Sequence, residues 1–175
     1  DGKEIFAIGI YVDNLQIVHS AELDEDGVPL DGSSFYAKFL DRLRADWDVV
    51  DEGPMTDLLG IECNYRADGS ILLHQGGYVR KMLSRFASDG PKHKRCSVPY
   101  SADLPRLVIE ALESSTASEP SHPSLIKSYQ KRVGALMYAC TGTRPDLAYA
   151  VHQQCRCMSR PTPEPMAELD YVFSY

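Results

Sequence analysis

Ile5-Phe6-Ala7-Ile8-Gly9-Ile10-Tyr11-Val12-Asp13-Asn14-Leu15-Gln16-Ile17-Val18 is the stretch on which the fold of this chain turns. The runs Ile5–Ile10 and Leu15–Val18 are apolar and rich in β-branched residues, the composition of strands. Asp13-Asn14 tolerates the positive φ angles of a two-residue hairpin turn. The spacing therefore predicts an antiparallel ribbon, buried on its flanks, with a carboxylate lifted to its tip by Tyr11 and Val12. Such a tip suits a divalent cation. The same residues also read as a plain turn, so the rest of the sequence has to decide.

Outward from this stretch, the composition is globular: 175 residues, 43% hydrophobic and 25% charged. No apolar run approaches the roughly 20 residues that span a bilayer, and no signal peptide opens the sequence. It starts Asp1-Gly2-Lys3 and stops inside the apolar periodic segment Leu169–Tyr175, so a piece of a longer polypeptide is expected. Cys63, Cys96, Cys140, Cys155 and Cys157 include no Cys-x-x-Cys pair, and the histidines no His-x-x-x-His pair. Reduced thiols in an intracellular setting are expected, and a Cys/His metal site is not. The net charge of −7 disguises a polarity. Residues 1–60 hold 4 bases and 14 acids, residues 61–100 hold 7 bases and 3 acids, and residues 101–175 are nearly balanced. A metal-binding front beside a phosphate-binding middle has this pattern, and so do two solvated faces.

Beyond an acidic loop over Ala21–Gly32, Ser33 is expected to cap an amphipathic helix with a stripe of Phe35, Phe39, Leu40, Leu43 and Trp47. Asp48–Asp51 reads as a short strand ended by Gly53-Pro54. A second hairpin follows, with arms Leu58–Tyr65 and Ile71–His74 joined at Asp68-Gly69, and Gly60 inside the first arm reads as a bulge. The helix from Tyr78 to Phe86 sets Tyr78, Val79, Met82, Leu83 and Phe86 against the basic residues Arg80, Lys81 and Arg85. Lys92, His93, Lys94 and Arg95 extend that charge into a loop suited to backbone phosphate. Residues 101–124 read as a linker with a short helix around Leu107–Leu112. Three helices complete the chain: one over Ile126–Cys140, a second capped by Thr143 with Pro145 in its first turn, and a third opened by Thr162-Pro163-Glu164.

The series resembles the reverse transcriptase of copia-type retrotransposons. Its pieces are Ile10-Tyr11-Val12-Asp13, then Gly53-Pro54-Met55-Thr56-Asp57-Leu58-Leu59-Gly60-Ile61-Glu62, then Gly69-Ser70-Ile71-Leu72-Leu73-His74-Gln75 and Tyr78–Phe86. Tyr129 with Val133–Tyr138, Thr143–Val151 and Met158-Ser159-Arg160 continue it. The resemblance covers nearly the whole chain, in order. It implies an α+β polymerase fragment: part of the palm with the metal-binding hairpin over residues 1–57, and a primer-grip-like hairpin over 58–76. A first thumb helix and basic loop would occupy 77–99, a linker 100–124, and helical thumb or connecting structure 125–175.

By the same resemblance Asp13 and Asn14 are the catalytic pair, Asp13 is the metal ligand, and two Mg²⁺ ions serve the intact enzyme. Leu59, Gly60, Gln75, Arg80, Lys81 and Arg85 would meet nucleic acid. The implied partners are an RNA template, a DNA primer, a deoxynucleoside triphosphate and the rest of the polyprotein, namely upstream fingers and palm and a downstream ribonuclease H. No membrane is implied, and the implied location is intracellular: a cytoplasmic virus-like particle or the nucleus. The sequence departs from the family where a second Asp is usual and Asn14 stands. The family's other metal-binding Asp lies on a strand upstream of this hairpin and is not among these residues. The isolated segment is therefore expected to be inactive as a polymerase. The alternative is a non-catalytic relic or co-opted module that binds nucleic acid or protein.

Overall fold

In a computed structural model, residues 4–87, 90, 96–117 and 122–175 are described, the side chains of 115–117 excepted. The basic loop residues Lys92–Arg95 lie outside the described residues. Among the described residues the fold is α+β, six α-helices with two small antiparallel sheets, and it divides into two compact units after Met55.

The first unit is built on the ribbon of β1 (Phe6–Tyr11) and β2 (Asn14–His19), in register from Phe6 opposite His19 to Tyr11 opposite Asn14. Its base is closed by the Ser20 amide on the Ile5 carbonyl, 3.0 Å, and the Ile5 amide on the Ser20 hydroxyl, 2.8 Å. Helix α1 (Phe35–Asp46) lies on one face through Phe6 on Phe39, with ring centroids 5.4 Å apart, and His19 stacked on Tyr36 at 3.8 Å. The cap is Ser34 and not Ser33: the Ser34 hydroxyl accepts from the Ala37 amide at 3.1 Å. The Glu4 carboxylate accepts from the Phe35 amide at 2.7 Å, where the helix dipole favours negative charge.

This anchoring rotates the helix from its expected stripe. Tyr36, Ala37 and Leu40 are buried, while Phe35 and Trp47 are exposed. The flanks of the ribbon are not buried either: Ile10 is 73% and Val18 62% exposed. A two-stranded ribbon with one helix on it leaves apolar side chains uncovered within the unit. Residues Asp48–Asp51 form no strand, because no strand of the unit pairs with them.

The second unit opens with a three-stranded sheet, β3 (Asp57–Leu58), β4 (Ile61–Tyr65) and β5 (Ile71–His74), in the order β3-β4-β5. The expected single arm Leu58–Tyr65 is thus two strands. Gly60 is no bulge. It shares a tight turn with Leu59, and both have positive φ, +55° and +73°, as a hairpin turn matched to strand twist requires.

The helices α2 (Gly76–Phe86), α3 (Leu104–Ala117), α4 (Pro123–Gly142), α5 (Ala148–Cys155) and α6 (Pro163–Ser174) share one core. The stretch 100–124, expected as a linker with a short helix around Leu107–Leu112, holds the longer α3, and Leu104, Val108 and Ala111 put one face of it in that core. Its Ser and Glu residues concealed a stripe at spacings of four and three. Thr143 does not cap α5. It ends α4, and a 3₁₀ turn over Pro145–Leu147 leads into α5. At the centre, fully buried Tyr129 places its hydroxyl against the Gln154 side-chain oxygen at 2.5 Å and its carbonyl at 2.9 Å. Burial pushes the Tyr129 phenol far above its ordinary pKa, so it stays a proton donor. Arg132 and Asp170 pair at 3.2 Å between α4 and α6, and the Arg132 guanidinium lies 5.7 Å from the Phe86 ring centre.

Replacing Tyr129→Phe leaves buried Gln154 without its donor and should cost about 1–3 kcal/mol, most of which Gln154→Leu added to it should restore. Urea unfolding of the two variants checks this. Equal loss in single and double variants would mean that the pair is not the source.

Candidate functional site

In the first unit, backbone pairing decides what sits at the ribbon tip. Tyr11 pairs with Asn14, so the two turn residues are Val12 and Asp13, one position earlier than Asp13-Asn14. Asn14 belongs to β2. Val12 takes φ +55°, a left-handed conformation in which a β-branched side chain is strained. Val12 is 84% exposed, and Asp13 is exposed beside it. The turn thus holds a carboxylate out from the ribbon, next to backbone strain of the kind that collects at ligand sites.

Whether these residues suit Mg²⁺ can be judged from their donors. Mg²⁺ takes oxygen ligands in near-octahedral geometry. The tip offers one carboxylate and, one residue on, an amide. Among the described residues no group of three or more His, Cys, Asp or Glu side chains is placed to hold a metal. Asp13 has the right chemistry for one ligand of a shared site, and these residues do not complete one.

In the second unit the remaining candidates cluster around the start of α2. The Glu62 carboxylate on β4 accepts from the Gly77 amide at 2.5 Å, and His74 Nδ1 lies 3.8 Å from the same carboxylate. A Cβ at Gly77 would stand 2.9 Å from the Glu62 carboxylate oxygen, so a larger residue there would push that carboxylate aside. Gln75, expected to face nucleic acid, is 2% exposed. Its side-chain oxygen accepts from the Thr143 hydroxyl at 3.0 Å, and its amide packs where a Cβ on Gly142 would sit. Gln75 therefore ties α2 to the end of α4, with its side chain turned into the protein. Sequence reading missed this because glutamine is usually exposed.

Arg80, Lys81 and Arg85 are exposed on α2, while Met82 is buried. The Arg85 guanidinium lies 5.1 Å from the Phe86 ring centre. Leu59 is exposed at the turn, as are Ile71, Leu72 and Leu73 on β5. The structure brings the Leu59-Gly60 turn and α2 together through α4: the Tyr138 hydroxyl donates to the Leu59 carbonyl, and the Tyr138 ring meets the Tyr78 ring edge-on at 4.9 Å. Tyr138 was not a candidate from sequence, because no residue near it along the chain points to a partner in a distant turn.

Replacing Val12→Gly should relieve the left-handed strain, worth about 1–2 kcal/mol for an L-residue. Amide hydrogen exchange across β1 and β2 should then slow several-fold. Faster exchange would show that the valine side chain stabilises the turn.

No protein-family model matches the chain, and no solved structure matches it. It is 27% identical over 167 residues to the retrovirus-related Pol polyprotein from transposon TNT 1-94 of Nicotiana tabacum, over 95% of this chain and 11% of that protein. It is 29% identical over 149 residues to an uncharacterized mitochondrial protein of Arabidopsis thaliana, over 84% of this chain and 55% of that protein. The chain thus spans a small part of the first relative and about half of the second. Over most of its length the chain is thus similar to one segment of a transposon Pol polyprotein.

Proposed function

We propose that this chain is the palm-end and thumb part of a copia-type reverse transcriptase, an RNA-directed DNA polymerase. The observation that carries the reading is Asp13, exposed on a strained two-residue turn in a chain similar over 95% of its length to a transposon Pol polyprotein. In that role Asp13 is one ligand of magnesium shared with other carboxylates. Bound Mg²⁺ would lower the pKa of the primer 3′-hydroxyl and stabilise the leaving pyrophosphate. The residues of the chain itself present and orient. The ribbon holds Asp13 out. The Leu59-Gly60 hairpin and the basic side of α2 offer an apolar ridge beside Arg80, Lys81 and Arg85 to the sugar-phosphate backbone of a primer–template hybrid. Gln75 acts one step removed, through Thr143.

Asn14 favours a second reading, a relic or co-opted module that keeps binding and has lost turnover. An amide oxygen can coordinate Mg²⁺ but brings no charge to offset it. The two readings part in a longer Pol polypeptide carrying this segment. There Asn14→Asp should raise nucleotide addition by about 10²–10³, the usual worth of such an electrostatic group. No gain would favour the relic.

The 175-residue chain should bind an RNA–DNA hybrid with a steep salt dependence. Replacing Arg80, Lys81 and Arg85 together by alanine should flatten the slope of log K against log salt by about 2.7, three phosphates at about 0.9 each. With Mg²⁺ and nucleotides the same chain should add no nucleotide to a primer. Unchanged binding by the triple variant, or primer extension by the chain alone, would overturn this assignment of roles.

A further inference from the structure

We infer that Tyr138 is a positioning residue for the Leu59-Gly60 turn, holding it in the form that meets the primer strand; this rests on the nucleic-acid reading of that hairpin. The turn needs a holder. Both of its residues lie at positive φ, and one of them is leucine, for which that conformation is unfavourable. β3 is two residues long, so strand pairing gives the turn little support. The missing support comes from α4, seventy-nine residues away in sequence, where the Tyr138 hydroxyl donates to the Leu59 carbonyl. A Cβ on Gly60 would stand 4.0 Å from the same hydroxyl, so the phenol covers both turn residues.

Tyr138 is itself held. Tyr78 of α2 meets its ring at 4.9 Å and 63°, and the Tyr78 hydroxyl donates to the Ala135 carbonyl of α4 at 3.0 Å. Two phenols in series therefore link α2 to α4 and α4 to the turn. They have different jobs. Tyr78 binds helix to helix, whereas Tyr138, 40% exposed, reaches out of the bundle to a loop. Packing alone does not require that reach, since the Tyr138 side chain is not part of the buried core. A ligand-bearing turn does, because a turn already ordered before binding loses less entropy when a strand lies on it.

Tyr138→Phe and Tyr78→Phe in the 175-residue chain test this, with hydrogen exchange and titration with an RNA–DNA hybrid as the two readouts. Tyr138→Phe should speed exchange of the amides at 57–62 by about 2- to 12-fold, the worth of one net hydrogen bond. It should weaken hybrid binding by about 2- to 10-fold, as the turn must now be ordered on binding, with the salt slope unchanged because no phosphate contact is lost. Tyr78→Phe should lower the melting temperature of the chain and leave exchange at 57–62 at the wild-type rate. Wild-type exchange at 57–62 in Tyr138→Phe, or equal loosening there by Tyr78→Phe, overturns the inference. So does faster exchange with undiminished binding, which would make the bond a structural tie only. A wild-type chain that binds no hybrid defeats the nucleic-acid reading itself, and the positioning role with it.

Discussion

Holding an L-residue at positive φ without glycine costs free energy, and among the described residues this happens twice, at Val12 and at Leu59. Both positions are turn residues of two-residue hairpin loops, and both lie in the motifs that point to function. Each unit meets the cost by other means. In the first, the turn is the end of a six-pair ribbon whose regular ladder determines which residues are left over to form it. In the second the flanking strand is too short for that, and a side chain from a distant helix bonds the turn carbonyl directly. Strain of this kind persists only where surrounding structure over-determines it.

The two units are also stabilised differently. The second has a continuous core in which five helices converge on Tyr129, Val133, Leu136 and Leu169, with a buried hydrogen bond and a half-shielded ion pair inside it. In the first, two ring pairs and the Glu4 carboxylate at the start of α1 join the helix to the ribbon, and Ser34 caps that helix. The ribbon leaves Ile8, Ile10 and Leu15 exposed on one face, an apolar surface that singly scattered residues would not make. The proposed role agrees with that asymmetry. A tip that offers one carboxylate to a shared metal belongs on a ribbon, and a surface that grips a duplex belongs on a packed bundle.

Much of the fold was legible in the residues. The ribbon, the α1 segment, the Ile71–His74 strand, α2 and α4 follow from alternation and from 3.6-residue periodicity, signals that do not depend on what lies across the core. Candidate residues were legible where chemistry and exposure coincide, as at Asp13, Arg80, Lys81 and Arg85. Gln75 and Tyr138 show the opposite case. The glutamine carries a polar group that is consumed inside the protein by Thr143, and the tyrosine, outside the buried core, sends its hydroxyl to a turn. Their roles depend on partners 68 and 79 positions away, and no local pattern encodes such a partner.

What the sequence determined by itself was the type and order of most elements and the residue kinds at the two hairpins, because period, turn chemistry and charge are properties of neighbours along the chain. What only the tertiary structure decided was register and facing. The ladder moved the first turn from Asp13-Asn14 to Val12-Asp13, the Glu4 and Ser34 caps rotated α1, and burial of Leu104 and Val108 turned an expected linker into core. The physical reason is common to all three. A shift of one residue changes local propensity very little, but it exchanges which side chains are buried and which backbone groups are paired, and those terms exist only once distant segments meet.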